Sequence, residues 1–426
     1  MRYDTVIFDL DGTLTDSRPG IFACVRYALE KMGREVPPEN ILRRFVGPPL
    51  AESMVKYCGM TEQEASHAMA LFRERYHPIG WKENNVYPRI RLLLKTLKDR
   101  GVSVAVATGK PEAFTRKILD YFGLSPYIQA MACPALNDLH ADKAALIRKV
   151  LPANASAVMV GDTASDISAA HECGIDSIAA LYGYGEREEL LAQTPTFVAE
   201  DTEALCALLC PEMPSPKGYF ITLEGVDGCG KTTQANAVEA LLRQFGYPVR
   251  RTREPGGCPI AEAIRGIVLA KEDGGMCAET EALLFAAARA QHVKEVILPA
   301  VKRGEVVLCD RFVDSSLVYQ GNARGLSMDW IKTINQAALR EGLPDVTVYL
   351  RMSHSEALRR RLAASDPDRI EQMGDDFQAR TETAYEELLR DDPRRFLPVD
   401  AARSPEDVTA ALFPQLLERM IREGVL

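Results

Sequence analysis

The chain has 426 residues, 46% of them hydrophobic, ten cysteines and a formal net charge of −9. That length exceeds one ordinary hydrophobic core, so two or three domains are expected, each with a sizeable interior. The acidic balance argues against a broad nucleic-acid or membrane surface, no apolar run approaches the roughly 18 residues that span a bilayer, and scattered cysteines without C-x-x-C spacing suit a reducing cytosol rather than a zinc or disulfide framework.

In chain order, the N-terminus shows no signal-peptide pattern and runs directly into the apolar strand Thr5–Asp9. A cytoplasmic enzyme is the expectation. At the strand's end stands Asp9-Leu10-Asp11-Gly12-Thr13. Two carboxylates two apart on an extended chain project to the same side, so one can attack a phosphorus while the other exchanges a proton with the leaving oxygen. From about Asp16 to Tyr87 the strand alternation stops. Helical patterns over Ile21–Met32 and Glu62–Tyr76, with a turn at Gly47-Pro48-Pro49, predict an inserted helical subdomain, because a structureless loop of that length is improbable. Strands resume at Val102–Ala107, followed by Thr108, and at Ala157–Gly161, followed by Asp162-Thr163-Ala164-Ser165-Asp166. The last two carboxylates suit Mg2+, a hard ion that prefers oxygen. Lys143 lies between the strands Val102–Ala107 and Ala157–Gly161 on a helical stretch, and Thr202–Leu209 reads as a terminal helix, with Cys206 and Cys210 as packing residues.

The order of these residues resembles the haloacid dehalogenase superfamily over about residues 3–205. The resemblance implies Asp9 as nucleophile, Asp11 as acid/base, Thr108 and Lys143 holding the phosphoryl group, and a Mg2+ site drawn from Asp9, Asp11, Asp162 and Asp166. Residues 16–87 would then be a cap over the substrate.

The clearest break is Cys210-Pro211-Glu212-Met213-Pro214-Ser215-Pro216-Lys217-Gly218, which cannot continue a helix and favours an extended linker. It predicts domains at 1–212 and 218–426 joined by 213–217. The strand Tyr219–Glu224 follows, then Gly225-Val226-Asp227-Gly228-Cys229-Gly230-Lys231-Thr232, which fits G-x-x-x-x-G-K-[ST]. An amphipathic helix with apolar Ala235, Val238, Leu241, Leu242 and Phe245 completes the strand–loop–helix context. Such a loop, here Gly225 to Thr233, cradles the phosphates of ATP with its amides and the helix N-terminus; Lys231 would reach the β- and γ-phosphates, and Thr232 would hold Mg2+. A guanine-specifying N-K-x-D is absent, which speaks against a GTPase switch. A second apolar strand, Glu305–Asp310, ends in a carboxylate suited to Mg2+, followed by Arg311, which can clamp phosphoryl oxygens. Val346–Leu350 reads as a further strand.

The segments Thr252–Gly257, Leu283–Arg289 and Asp310–Gly321 resemble the signature and monophosphate-binding segments of thymidylate kinases, and the match runs from about Tyr219 to Leu417. The resemblance implies that Phe285 stacks on thymine, that Arg289, Ser316 and Gln320 contact the base, that Asp227 and Tyr319 meet the deoxyribose, and that Arg253 and Arg311 grip the acceptor phosphate. Cys258 and Phe312 depart from the usual Thr and Tyr without removing a charge. The loop carries no arginine between its glycines, so the catalytic arginine is expected in a mobile lid resembling Arg359–Glu371, with Arg361 and Arg369 as candidates.

These expectations combine into an α/β protein of two Rossmann-like three-layer domains with parallel sheets, the first bearing a helical cap and the second a P-loop nucleoside monophosphate kinase. It would be bifunctional, using Mg2+ and ATP, with dTMP and a small phosphomonoester as substrates, without nucleic-acid or membrane partners, and with a homodimer through the kinase half left open. Two alternatives stand beside it: an acceptor other than dTMP, and an N-terminal half that only docks or regulates. The opening residues through Ile21 and the turn Phe45–Leu50 are similar to a branch described as phosphoglycolate phosphatase-like and 5′-nucleotidase-like. Lys143 follows Leu139-His140-Ala141-Asp142, without the prolines usual in phosphoglycolate phosphatases. That departure and the fusion to a nucleotide enzyme favour nucleoside monophosphates, with dTMP a poor substrate because its hydrolysis would oppose the kinase.

Overall fold

The computed structural model describes residues 2–47, 50–135, 142–270, 275–362 and 375–425, with side chains at all of these but 361–362 and 375–379. Pro48, Pro49 and residues 139–141, which entered the sequence argument, lie outside the described residues. The chain divides into two compact units, one of Met1–Pro214 with Gln244–Gly246, the other of Ser215–Arg243 with Tyr247–Leu426. The division falls in the proline-rich stretch, whose ring nitrogens can donate to neither helix nor sheet.

In the first unit the strands are β1 (Thr5–Phe8), β2 (Thr15–Asp16), β3 (Asn85–Val86), β4 (Ser103–Ala107), β5 (Ala130–Ala132), β6 (Ala157–Gly161), β7 (Asp176–Ala180) and β8 (Phe197–Ala199). Six of them form a parallel sheet in the order β5-β4-β1-β6-β7-β8. Thr5 of β1 pairs with Ser103 on one side and Ala157 on the other. Sheets of this kind are covered on both faces, which is why β1 is buried along its whole length. Because β4, β1 and β6 are neighbours, the residues just past their C-terminal ends, Thr108, Asp9 and Asp162, are brought to one edge, where ligands bind in such sheets. The short antiparallel pair β2–β3 sets Thr15 opposite Val86 and brackets the inserted helical segment. Helices Arg18–Lys31, Leu50–Cys58 and Glu62–Tyr76 there bury Val25, Leu29, Met54 and Phe72 in a core of their own. The first of these begins at Arg18 rather than Ile21, since Pro19 fits the opening turn of a helix. The third begins at a reciprocal cap: Glu64 N donates to Thr61 Oγ1 (3.2 Å) and Thr61 N to Glu64 Oε2 (2.8 Å).

The second unit holds β9 (Tyr219–Glu224), β10 (Val249–Arg253), β11 (Val306–Asp310), β12 (Val346–Arg351) and β13 (Phe396–Asp400), parallel in the order β10-β11-β9-β12-β13. Both units are thus α/β with parallel sheets. Register sets Thr252 opposite Cys309 and Asp310 opposite Leu223, so the ends of β10, β11 and β9 align. The glycine-rich loop leaves the central β9 and enters the helix Lys231–Gln244. Among the described residues no helix is long and apolar enough to cross a membrane.

Candidate active sites

In the second unit the aligned strand ends open into a cavity of about 820 Å3. Asp227, Gly228, Gly230, Lys231, Thr232 and Thr233 of the loop line it, together with Arg253, Asp310 and Arg311 at the strand ends and Phe285, Arg289, Ser316, Tyr319 and Gln320 from the helices. Gly225, Val226 and Cys229, expected with the loop, are not among its lining residues, and the side chains of Val226 and Cys229 are buried. Lys231 Nζ donates to the carbonyl oxygens of Gly225 (3.0 Å) and Val226 (2.9 Å). Thr232 Oγ1 donates to Asp310 Oδ2 at 3.2 Å. A hydroxyl and a carboxylate side by side next to the loop fit the oxygen ligands that Mg2+ takes.

Arg311 is held by both its backbone and its side chain. Its backbone φ is +66°, a left-handed value that costs a non-glycine residue about 1–2 kcal/mol. Its guanidinium donates to Asp227, to Ser315 Oγ (3.0 Å) and to Tyr319 Oη (3.4 Å), and lies 5.1 Å from the centre of the Tyr319 ring. Tyr319 Oη also donates to Asp227 Oδ2 at 3.0 Å. Burial alone would raise the Asp227 carboxyl, but Arg311 and Lys231 hold it down at about 2. Arg289 is only 2% exposed. It donates from Nε to Glu254 (2.7 Å), from Nη1 to Asn335 (2.6 Å) and Ser316 (3.1 Å), and from Nη2 to the Phe312 carbonyl (3.2 Å). Glu254 in turn meets His292 at 3.0 Å, which meets Thr252 at 2.7 Å. The guanidinium is therefore locked in one orientation at the cavity wall. Tyr319 and Gln320 belong to a π-helical turn, Leu317–Ala323, a distortion common at functional sites. Gln320 Nε2 donates to Glu281 at 3.0 Å. Arg253 is an outward residue of the group, paired with Glu262 at 3.2 Å. Of the run Arg359–Arg361, Arg360 lines the cavity and donates to the carbonyls of Ala401 (3.0 Å) and Ala402 (2.7 Å). The side chain of Arg361 and all of Arg369 lie outside the described residues.

In the first unit Asp9, Asp162 and Asp166 converge, all buried, with ligand oxygens within 4.8 Å of one another. Lys143 Nζ contacts Asp9 Oδ1 at 2.6 Å and Asp166 Oδ1 at 2.7 Å. Thr13 Oγ1 donates to Asp162 Oδ1 (3.3 Å) and the Tyr184 amide to Asp162 Oδ2 (2.8 Å), while Thr163 caps Asp166 through its amide (3.0 Å) and hydroxyl (2.7 Å). Gly12 is required here: its φ is +86°, and a Cβ on it would stand 2.1 Å from Asp162 Oδ2. Burial pushes the Asp9 carboxyl up to about 6 against the pull of Lys143, and burial followed by the charges of Asp9 and Asp166 pushes Asp162 well above the ordinary range. A buried carboxylate set short of positive charge, offering only oxygen, fits a hard divalent cation. Asp11, expected among the metal ligands, stands outside this group. Its carboxylate pairs with Lys110 at 2.6 Å. Thr108 is buried at the end of β4 and accepts from the Lys110 amide at 3.3 Å.

Several residues escaped the sequence argument. Lys110 had a signal in the run Thr108-Gly109-Lys110 directly after a strand. Glu224 had one too: it closes an entirely buried strand, and a carboxylate there must find donors. Glu254 and Ser315 lie within the segments Thr252–Gly257 and Asp310–Gly321, but nothing local marked their roles, and Asn335 carried no local signal, because the partners come from other elements.

The family described as Thymidylate kinase matches residues 223–412, and the family described as Haloacid dehalogenase-like hydrolase matches residues 6–180. A thymidylate kinase of Pelobacter propionicus is 44% identical over 210 residues, covering 48% of this chain and 96% of the relative. One from Pseudomonas syringae pv. tomato is 47% identical over 204 residues, covering 47% and 97%. Among solved structures, a protein titled a predicted phosphatase from Clostridium acetobutylicum is 36% identical with a TM-score of 0.44, covering 48% of this chain and 97% of its own.

Proposed function

Because the chain belongs to the thymidylate kinase family through its C-terminal half and carries a haloacid dehalogenase-like hydrolase in its N-terminal half, we propose that this kinase–hydrolase fusion converts dTMP and ATP to dTDP and ADP at one site and hydrolyses a small phosphomonoester at the other. The observation that carries the kinase reading is the single cavity that joins the phosphate loop to Arg311, Arg289, Phe285 and Tyr319. Donor and acceptor then share one space. An oxygen of the dTMP phosphate attacks the γ-phosphorus, and the bond to the β–γ bridging oxygen breaks. Such transfer depends on positioning and charge stabilisation. In this reading the loop amides and Lys231 hold the donor phosphates, Arg253 and Arg311 the acceptor phosphate, and Phe285, Arg289, Ser316 and Gln320 the base. Asp227 and Tyr319 meet the sugar. Thr232 and Asp310 would hold Mg2+, which neutralises phosphate charge. Arg361 and Arg369 are the proposed lid arginines.

At the hydrolase site Asp9, Asp162 and Asp166 would hold Mg2+, which screens the approach of an anionic ester to a carboxylate. Asp9 attacks phosphorus, the ester bond breaks, and Asp11 gives its proton to the leaving oxygen. Water then hydrolyses the aspartyl-phosphate, with Asp11 taking the proton back. Lys143 and Thr108 hold the phosphoryl oxygens. The convergence of Asp9, Asp162 and Lys143 supports this reading. Coupled ADP release across dTMP, dCMP, dGMP and UMP tests the kinase, with dTMP preferred. Equal or better turnover of UMP or dCMP overturns it. For the hydrolase, kcat/KM on 5′-monophosphates should exceed that on phosphoglycolate; a tenfold preference the other way, about 1.4 kcal/mol in the barrier, overturns the nucleotide assignment.

A further inference from the structure

Glu224 is the last residue of β9 and fully buried, and its two carboxylate oxygens take donors from the segment after Arg311, Oε1 accepting also from the Ser315 amide at 3.4 Å. Oε1 accepts from the Phe312 amide at 2.7 Å, the peptide N–H immediately after the left-handed Arg311. Oε2 accepts from Ser315 Oγ at 2.7 Å and from Tyr385 Oη at 2.8 Å. Ser315 Oγ is the same atom that receives Arg311 Nη1 at 3.0 Å. On its other side the Arg311 amide is tied to the Leu223 carbonyl at 3.0 Å. One carboxylate thus fixes the unfavourable backbone turn and, through one hydroxyl, the guanidinium that the turn presents. Charge-assisted hydrogen bonds of this kind are about twice as strong as neutral ones, and a strained backbone persists only where its surroundings over-determine it. The neighbouring Asp314 is engaged elsewhere, by Arg395 at 2.6 and 2.9 Å, so it does not compete for Ser315.

We propose that Glu224 is a positioning residue for phosphoryl transfer, holding Arg311 at the acceptor phosphate through the Phe312 amide and the Ser315 hydroxyl. The proposal rests on the reading of Arg311 as a phosphate-gripping residue. Misplacing a catalytic contact by about 1 Å can cost on the order of 10²-fold.

The test is steady-state kinase kinetics on the full-length chain bearing Glu224→Gln, Ser315→Ala, Arg311→Ala and the double change Glu224→Gln with Arg311→Ala. Glu224→Gln is expected to lower kcat/KM for dTMP about 10²-fold with KM for ATP within about twofold, since the phosphate loop keeps its own contacts. Ser315→Ala, which removes one hydroxyl and leaves the amide contact, should lose about tenfold and serves if Glu224→Gln fails to fold. The double variant should be no worse than about threefold below Arg311→Ala alone, because both changes act through one guanidinium. Multiplied losses in the double variant, or an ATP KM that rises with the dTMP KM, would make Glu224 a structural residue only and overturn the proposal. Wild-type kinetics in Arg311→Ala would instead remove the reading of Arg311, and the proposal with it.

Discussion

Lys143 stands between carboxylates whose repulsion it partly cancels, so replacing it by methionine isolates a large electrostatic effect at nearly constant volume. Each contact, at 2.6 and 2.7 Å, is worth about 6 kcal/mol of gross attraction at an effective dielectric near 20. Burying the ammonium takes back most of that. What remains is the cost of leaving Asp9 and Asp166 buried without their shared cation, about 3–5 kcal/mol when one partner of a buried pair is deleted. Lys143→Met should therefore destabilise the first unit by that amount in EDTA. Hydrogen exchange at the amides of β1 and β6 reads this unit separately from the second and should show protection falling on the order of 10²–10³-fold, at about 1.4 kcal/mol per decade. Saturating Mg2+ should recover more protection in the variant than it adds to the wild type, because the carboxylate oxygens remain while their internal cation is gone. Unchanged protection in EDTA, or a variant indifferent to Mg2+, would refute this account of the cluster.

Lys231→Ala should lower dTMP kinase turnover on the order of 10²-fold or more with phosphatase turnover untouched, and Asp9→Asn should do the reverse; loss of both activities by either change in folded protein would contradict two separate sites. Gly12→Ala should abolish phosphatase turnover while sparing the kinase, since it adds about 1–2 kcal/mol of backbone strain and a methyl that collides with Asp162; normal ester hydrolysis would show that Asp162 is free to move. The Asp9 carboxyl is raised in the fold to about 6, so the metal-free native state binds the extra proton. Its contribution is fully present below the unfolded value near 4 and is lost as pH rises through about 6, which a urea series in EDTA from pH 4 to 7 should record as falling first-unit stability.

Most central strands were easy to read; the interior strand β7, which opens on Asp176 and Ser177, and the edge strands were not. The buried runs of β1, β6, β9, β11 and β12 are largely apolar stretches because helices cover both faces, and the first four lead directly into the residues that make the sites. β10 and β13 lie at the two edges of their sheet; β10 alternates buried Val249 and Thr252 with arginines, and β13 carries Pro398. Neither presents the continuous apolar run that marks a central strand. The same logic divides the sites. Asp9, Asp162, Lys231 and Asp310 follow strands or a loop motif and were visible locally. The partners that hold Arg289 and Arg311, among them Asn335, Glu254 and Ser315, are brought together only by the tertiary fold. Arg359, Arg360 and Arg361 look alike in sequence; among the described side chains of that run, Arg360 lines the cavity.

The pairing of Arg311 with Asp227 has a consequence for how tightly any anion can be held there. The guanidinium already has a counter-ion, and that counter-ion is strongly acidic in the fold. A phosphate arriving at Arg311 exchanges one negative partner for another, so the free energy it gains is a difference between two ion pairs rather than the whole of one. On the proposed reading of Arg311 as a phosphate-gripping residue, such an exchange would make the grip on substrate and product moderate and quickly reversible, and would keep the pocket from filling indiscriminately with inorganic anions.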